Sequence, residues 1–528
     1  METFDFRGTG KLLLFYLKKG WIKRIIWLLT PALLALAGYQ SYSTMFASNQ
    51  ELVAFVDESI LNPVVAAIHG FILTKDIPGL VVWNIKTISL IVAGIFNILA
   101  MTQMTRGEEE TGRTDILCSL VIGRQSQLAA ASILCVGVNA TMGLLLAFSM
   151  TALGMPFAGA VGMGLLITIG SSLFTALAAL SSQLTASRRA ASSLAIAFLG
   201  VFYTIAFFNN LTVDINISSY LTPFRWFFIL RPYAENNFWI LPVSVFIVLI
   251  LFISALKLSA RRDIGDGAIP HKTGRADAPS YLRNIWALSY RMHRGGLFSW
   301  LMVLFLFAVG IGSVDGLVAD MLNDVPTLAS WMNHFGAPEE AFLALMIFVL
   351  SMFIAAYGII SIQRIRAEEA EQHIDAVLST TVTRSALMGS HMIYGFFGTM
   401  LIAFAVGLGI MLGKGMSGGL SDVNWGPLLA SLYKLPAIWI IGGMAILFFG
   451  MLPRLSTAIS WGIFSLFIAL QLFWEMGLLP ETAFLLSPLG HVYPTRPQTP
   501  TTFVMLTIVA LILYMIGFRG FKRRDIQQ

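Results

Sequence analysis

The sequence predicts an all-α integral membrane protein with twelve transmembrane helices, arranged as two tandem six-helix halves. Three observations lead there. Apolar residues fill 57% of the 528 positions and charged ones only 12%, where a soluble chain carries about 25% charged. Stretches apolar and long enough to cross a bilayer recur twelve times. The polar segments between them repeat once, at an offset close to 260 residues.

A hydrocarbon core about 30 Å thick takes about 20 residues of helix. Lipid offers the backbone no hydrogen-bond partners, so each stretch must satisfy its own. The first six spans are expected over 24–42, 82–104, 128–152, 159–182, 191–211 and 238–258. The second six are expected over 297–316, 341–363, 387–412, 435–452, 457–476 and 501–519. With the N-terminus inside, 27 of the 34 Lys and Arg residues fall on one side, as the positive-inside bias requires. Among those left over, Lys86 and Lys434 are expected to snorkel to the outer interface. The external loop 314–340, with Asp315, Asp320, Asp324, Glu339 and Glu340, reads as a solvated acidic face. The expectation is a multi-pass protein of the cell membrane with both termini cytoplasmic. The net charge of +6 is then a matter of topology, and no basic stripe interleaved with aromatics points to nucleic acid.

The repeat organises the chain. After span 2 stands Arg106-Gly-Glu108-Glu109-Glu110-Thr-Gly-Arg113-Thr-Asp115, closing at Arg124. After span 8 stands Arg366-Ala-Glu368-Glu369-Ala-Glu371-Gln-His373-Ile-Asp375, closing at Arg384. Span 6 ends in Arg261-Arg262-Asp263-Ile264 and span 12 in Arg523-Arg524-Asp525-Ile526, while Thr222-Pro223 and Ser487-Pro488 precede those two spans. Six spans is an even number, so both halves keep one orientation, related by an axis along the membrane normal. The expected layout is a first half over 1–258, a linker over 259–296 broken by glycines and prolines, and a second half over 297–528. Basic amphipathic stretches, Lys11–Lys19 and Tyr281–Arg291, suit interfacial helices at the start of each half.

Several chemistries find no support. Gly8-Thr-Gly10-Lys11 lacks the first glycine and the Ser/Thr of a phosphate-cradling loop. Two cysteines, Cys118 and Cys135, are too few for a disulfide framework. The seven histidines are scattered, and no nucleophile with a base stands out. The polar start Met1–Gly10 lacks an apolar core before a small-residue site, so no cleavable signal is expected. No catalytic residue, metal site or cofactor bound by the chain itself is expected.

The acidic loops are the strongest functional signal. One such loop reads as a solvated face, but the same Arg-x-Glu-Glu pattern in both halves points to a docking surface whose carboxylates meet a partner's Arg or Lys. The run Thr105-Arg106-Gly-Glu108-Glu109-Glu110-Thr-Gly112-Arg113 resembles the coupling loop of ATP-binding cassette (ABC) type-2 exporter permeases. The double-length layout resembles the permeases of antibiotic exporters of the tetronasin-resistance type. Gly450-Met-Leu-Pro453-Arg454, Ser487-Pro488-Leu-Gly490-His491-Val492 and the Arg-Arg-Asp termini add to the likeness. The second loop departs from the pattern, with Gln372-His373 where the first has Gly112-Arg113.

The resemblance implies interfacial elbow helices, cytoplasmic coupling helices and two copies of a separate ATPase that carries the ATP and Mg. Arg106, Glu108, Glu109, Glu110, Arg113, Asp115 and Arg124 would couple to one ATPase copy, and Arg366, Glu368, Glu369, Glu371, Asp375 and Arg384 to the other. Spans 2, 5, 8 and 11 would line a cleft between the halves. On those spans Asn97, Tyr203, Phe207, Tyr357, Trp461 and Gln471 are candidate contacts for a hydrophobic antibiotic-like substrate of polyether or polyketide type, since polar groups in hydrocarbon are costly. The alternative is a twelve-span drug transporter driven by an ion gradient, against which stands the lack of mid-span carboxylates. The topology is directly testable. A reporter active only in the cytoplasm should work when fused at either terminus, and a reporter active only outside should be silent at both.

Overall fold

The computed structural model describes residues 5–46, 48–61, 69–118, 122–210, 215–263, 265–269, 279, 282, 284–324, 338–418, 424–475 and 479–524. Helix dominates, and no strand occurs among the described residues. Among the described residues, twelve helices are long and apolar enough to cross a membrane. Spans 1–6 are Trp21–Met45, Ile77–Glu110, Ser126–Ala152, Phe157–Leu184, Arg188–Asn209 and Ile240–Arg261. Spans 7–12 are Ile285–Ser313, Phe342–Ala370, Arg384–Met416, Gly426–Met451, Ser456–Trp474 and Pro500–Arg523. The protein is a twelve-helix integral membrane protein. Side chains such as Leu144, Phe148, Phe246, Phe298 and Leu306 are 61–73% exposed, an apolar surface that suits lipid. The chain divides into two compact units, Met1–Gly274 and Arg275–Gln528, each holding six spans.

Span 4 is the inner helix of the first unit and span 10 that of the second. Helices in lipid gain nothing from hiding apolar surface from one another, so they associate where small residues let backbones approach. Spans 3 and 4 meet at such a point. A Cβ on Gly143 would lie 2.3 Å from the Gly164 carbonyl oxygen, and one on Gly164 would lie 2.4 Å from that of Gly143. Spans 10 and 12 repeat the device, with a Cβ on Gly450 falling 2.2 Å from the Gly517 carbonyl oxygen.

A polar knot ties spans 2, 3 and 4 of the first unit. Asn97 donates to the Asn139 side chain at 2.9 Å, and Thr175 donates to Asn97 at 2.9 Å. Asn139 donates in turn to Ser172 at 3.2 Å. The positions 260 and 264 residues later in the second unit carry different side chains. Tyr357 and Thr399 replace the asparagines, and Trp439 Nε1 donates to Thr399 at 3.2 Å.

Several expectations need correction. Lys86 and Lys434 do not snorkel: they are 4% and 2% exposed. Each faces the short segment that folds back before the last span of its own unit. The Lys86 ammonium lies 5.1 Å from the centre of the Phe228 ring, and the Lys434 ammonium donates to the Val492 carbonyl at 2.5 Å. These folded-back segments, Trp226–Leu230 and Pro488–Val492, come after the two repeated Ser/Thr-Pro steps and supply carbonyls and ring faces inside the bundle. Asp315 is not solvated either. It is 7% exposed and paired with Lys414 at 2.8 Å, while the side chains of Asp320, Asp324, Glu339 and Glu340 lie outside the described residues.

The amphipathic starts of the halves differ. In the first, the helix Thr9–Lys18 is separate, and Gly20 at φ +73° turns the chain into span 1. In the second, one helix runs from Ile285 to Asp324 without a break, and positions 281 and 283 lie outside the described residues.

The polar knot predicts a local loss. Replacing Asn139 with Ala takes the acceptor from one Asn97 side-chain N–H, at about 1–3 kcal/mol for an unsatisfied buried group, and thermal unfolding of the purified protein should shift down. An unchanged melting temperature would show that the knot contributes nothing.

Candidate functional site

Each unit gathers charge where its second span runs out of apolar residues. In the first, span 2 continues beyond Thr102 through a π-helical turn, Gln103–Gly107, and a last turn, Glu108–Glu110. Single π turns recur at functional sites, where they change the facing of the next helical turn. Here Arg106 is fully buried. Its Nε donates to the Ser182 carbonyl at 2.5 Å, one terminal nitrogen to Glu109 at 2.7 Å and the other to the Asp266 carbonyl at 2.7 Å.

Arg262 reaches the same carboxylate from just beyond span 6. Its terminal nitrogens donate to the two Glu109 oxygens at 2.5 and 3.1 Å, and its Nε donates to Gln183 at 2.6 Å. Arg124 closes the set by donating to the Arg262 carbonyl. Glu109 therefore sits between two guanidinium groups, with one oxygen accepting from both. Charge-assisted, two-pronged contacts of this kind fix direction as well as distance.

The second unit builds the same clamp with fewer members. Glu369 is 5% exposed and receives both terminal nitrogens of Arg524 at 2.7 and 2.8 Å. Arg384 donates to the Arg524 carbonyl at 2.6 Å. Arg366, the counterpart of Arg106, is half-buried. The acidic loop, its closing arginine and the Arg-Arg-Asp sequence, which read as separate markers of the repeat, are three parts of one contact. Their shared offset is the signal that could have found it.

The remaining loop residues divide by burial. Glu108 is 3% exposed and takes Lys19 at 2.7 Å and Arg113 at 3.4 Å. Glu110 accepts from the Arg188 backbone N–H at 2.7 Å. Glu368 meets His373 at 3.0 Å and Arg364 at 3.8 Å. Glu371 meets the same histidine at 3.5 Å. Glu108, Glu109 and Glu369 thus spend their charge inside the chain, whereas Glu110, Arg113, Glu371, His373 and Asp375 are exposed. The side chain of Asp115 lies outside the described residues, as does Asp525. Glu368, Glu371 and His373 have ligand atoms within 4.8 Å of one another, a grouping that the scattered spacing of the histidines conceals.

The first unit also seats its loop on the N-terminal helix. Tyr16, 2% exposed, donates to the Met104 carbonyl at 3.1 Å. Burial, and then the nearby Glu108 carboxylate, raise the pKa of its hydroxyl, so it stays a donor. Residues ahead of that helix strap the far side of the loop, where the Gly123 N–H donates to the Arg7 carbonyl at 2.8 Å and Ser126 to the same oxygen at 2.6 Å.

Most of the expected cleft residues pack against partners within their own units. Asn97 is 1% exposed in the knot described above, and Tyr357 is 3% exposed against Trp300. Tyr203 packs edge-on against Phe224 at 5.5 Å, and Trp461 against Phe464 at 6.0 Å. Phe207 is half-buried beside Phe208, and Gln471 is 5% exposed.

A family profile described as "Multidrug efflux system permease Rv1217c, C-terminal domain" matches residues 282–522, nearly the whole second unit. The multidrug efflux system permease protein Rv1217c of Mycobacterium tuberculosis is 28% identical over 532 residues, covering 99% of this chain and 96% of that protein. From end to end, the chain is similar to an efflux permease. Both acidic loops lie within the matched length.

The clamp makes a quantitative prediction. Removing one member of a buried ion pair costs about 3–5 kcal/mol, because the other charge is left without compensation. Glu109→Ala and Arg262→Ala should each lower thermal stability strongly, and the double variant E109A/R262A should lose less than the sum of the two. Losses that simply add in the double variant would show that the two groups do not interact.

Proposed function

We propose that the chain is the permease subunit of an ATP-driven exporter. It moves a hydrophobic, antibiotic-like compound of polyether or polyketide type out of the cell, with both of its termini in the cytoplasm. Two copies of a separate cytoplasmic ATPase bind and hydrolyse ATP with Mg, and this chain catalyses nothing itself. The observation that carries the reading is the clamp, present in both units directly beneath a short loop helix, Arg113–Cys118 in one and His373–Leu378 in the other.

A loop that merely faced water would have no use for a buried carboxylate tied to the end of a span 153 residues away. A loop that takes a push from outside the membrane does. The clamp joins the end of span 2 to the end of span 6, and span 8 to span 12, so displacement of the short helix moves span ends together and not the loop alone. The chemistry left on the loop surface suits a protein partner. Ile116 is 67% exposed, with Glu110 and Arg113 exposed beside it, an apolar centre with a charged rim. An ion-gradient mechanism would call for a titratable acid within the spans, and Asp315, a buried acid at the end of span 7, is already tied to Lys414.

The test separates docking from folding. Ile116→Asp leaves the clamp intact, so the permease should insert and stay monodisperse. A centrally placed interface residue is worth about 2 kcal/mol or more, so the variant should lose co-purifying ATPase and export together. Gradient-driven export by the permease alone, with no ATPase present, would overturn the proposal.

A further inference from the structure

A cavity of about 310 Å³ lies in the second unit, between the first turns of span 7, the short helix His373–Leu378 and the start of span 9. That is the size of a small-molecule pocket. Ile285, Leu288, Met292, Ile374, Val377 and Leu387 form its wall, and the polar residues around it are Ser289, His391, Glu368 and His373. Two of these are already engaged: the Ser289 hydroxyl donates to the Ser390 carbonyl at 2.8 Å, and His391 Nδ1 shares a hydrogen bond with His293 Nε2 at 3.0 Å. The carboxylate of Glu368, partly exposed, pairs with the exposed His373 at 3.0 Å and more distantly with Arg364 at 3.8 Å, and it is the acid at the cavity.

The first unit shows what belongs in such a place. Glu108, Thr114 and Gln127 stand 260 positions before Glu368, Ile374 and Leu387. There the chain fills the space with its own side chains. The buried ring of Tyr16 lies close to Gln127 and Glu108, and the Lys19 ammonium sits 2.7 Å from Glu108. An aromatic body under the loop and a cation on its first carboxylate complete that seat. The second unit keeps the carboxylate and an apolar recess, and its entering helix places Ile285, Leu288 and Met292 along the wall without filling it.

We propose that this cavity binds a lipophilic amine: a small organic cation whose ammonium meets Glu368 and whose aromatic or branched body lies against the apolar wall. In the second unit such a ligand does what Lys19 and Tyr16 do in the first, seating the loop on the entering helix. The site belongs to the permease alone, so it stands or falls independently of the ATP-driven reading.

The experiment uses purified full-length permease in nanodiscs, with empty nanodiscs as the blank for partition into lipid. The probes are 4-phenylbutylamine, 4-phenylbutanol and 4-phenylbutyrate, titrated by calorimetry. The amine should bind saturably at one site per chain, about 10-fold or more tighter than the alcohol, the factor expected for one charge-assisted hydrogen bond, and the carboxylate should not bind. Glu368→Gln should remove the amine's advantage and leave the alcohol's affinity unchanged, and Val377→Trp should abolish binding of both. Equal affinity for amine and alcohol in the unaltered protein overturns the proposal, as does amine binding that ignores both substitutions. The comparison of probes on the unaltered protein decides the matter even where a variant fails to fold.

Discussion

A carboxylate placed a few residues beyond the end of an apolar helix can go to water, to a partner outside the chain, or to a cation within it. Hydrocarbon is closed to it at a cost of a few kcal/mol. Glu109 and Glu369 take the third course, and that choice shapes much else at these loop ends. Because Glu109 turns inward, Arg106 must be buried with it, and span 2 accommodates that with a π-helical turn. Because Arg262 must reach the same oxygens, the chain after span 6 crosses the loop after span 4, where the Ala268 N–H donates to the Gln183 carbonyl at 2.9 Å. The start of the linker is thereby fixed by the site itself.

Much of this is legible in the sequence. The number of spans, their order and the division into halves come from apolar length and from a repeat of charged residues, both robust because lipid imposes one solution on the backbone. The repeat also points to the right residues: Glu109, Arg262 and Arg124 and their counterparts all stand in it. What the sequence does not convey is direction. A glutamate beside a helix end reads as exposed unless its partner is known, and the partner lies in another span. The same blindness explains Lys86 and Lys434, which look like interface residues one span at a time and become buried only when the folded-back segments supply a carbonyl or a ring face.

The two halves solve one problem with unequal means. Glu109 is held by two guanidinium groups and Glu369 by one. Lys19 and Tyr16 support the first loop, while the second has an exposed histidine and a recess. The first loop is thus the more firmly braced of the two.

The distance along the chain between the clamp's members bears on how the protein is made. Glu109 leaves the ribosome 153 residues ahead of Arg262. At synthesis rates of about 5–20 residues per second, that is an interval on the order of ten to thirty seconds. Through that time the loop carries an acid whose outer cation does not yet exist, while spans 3 to 6 are still entering the bilayer. The loop end of each half is therefore the last part of it to set, and a nascent half is complete only when its final arginine pair has emerged.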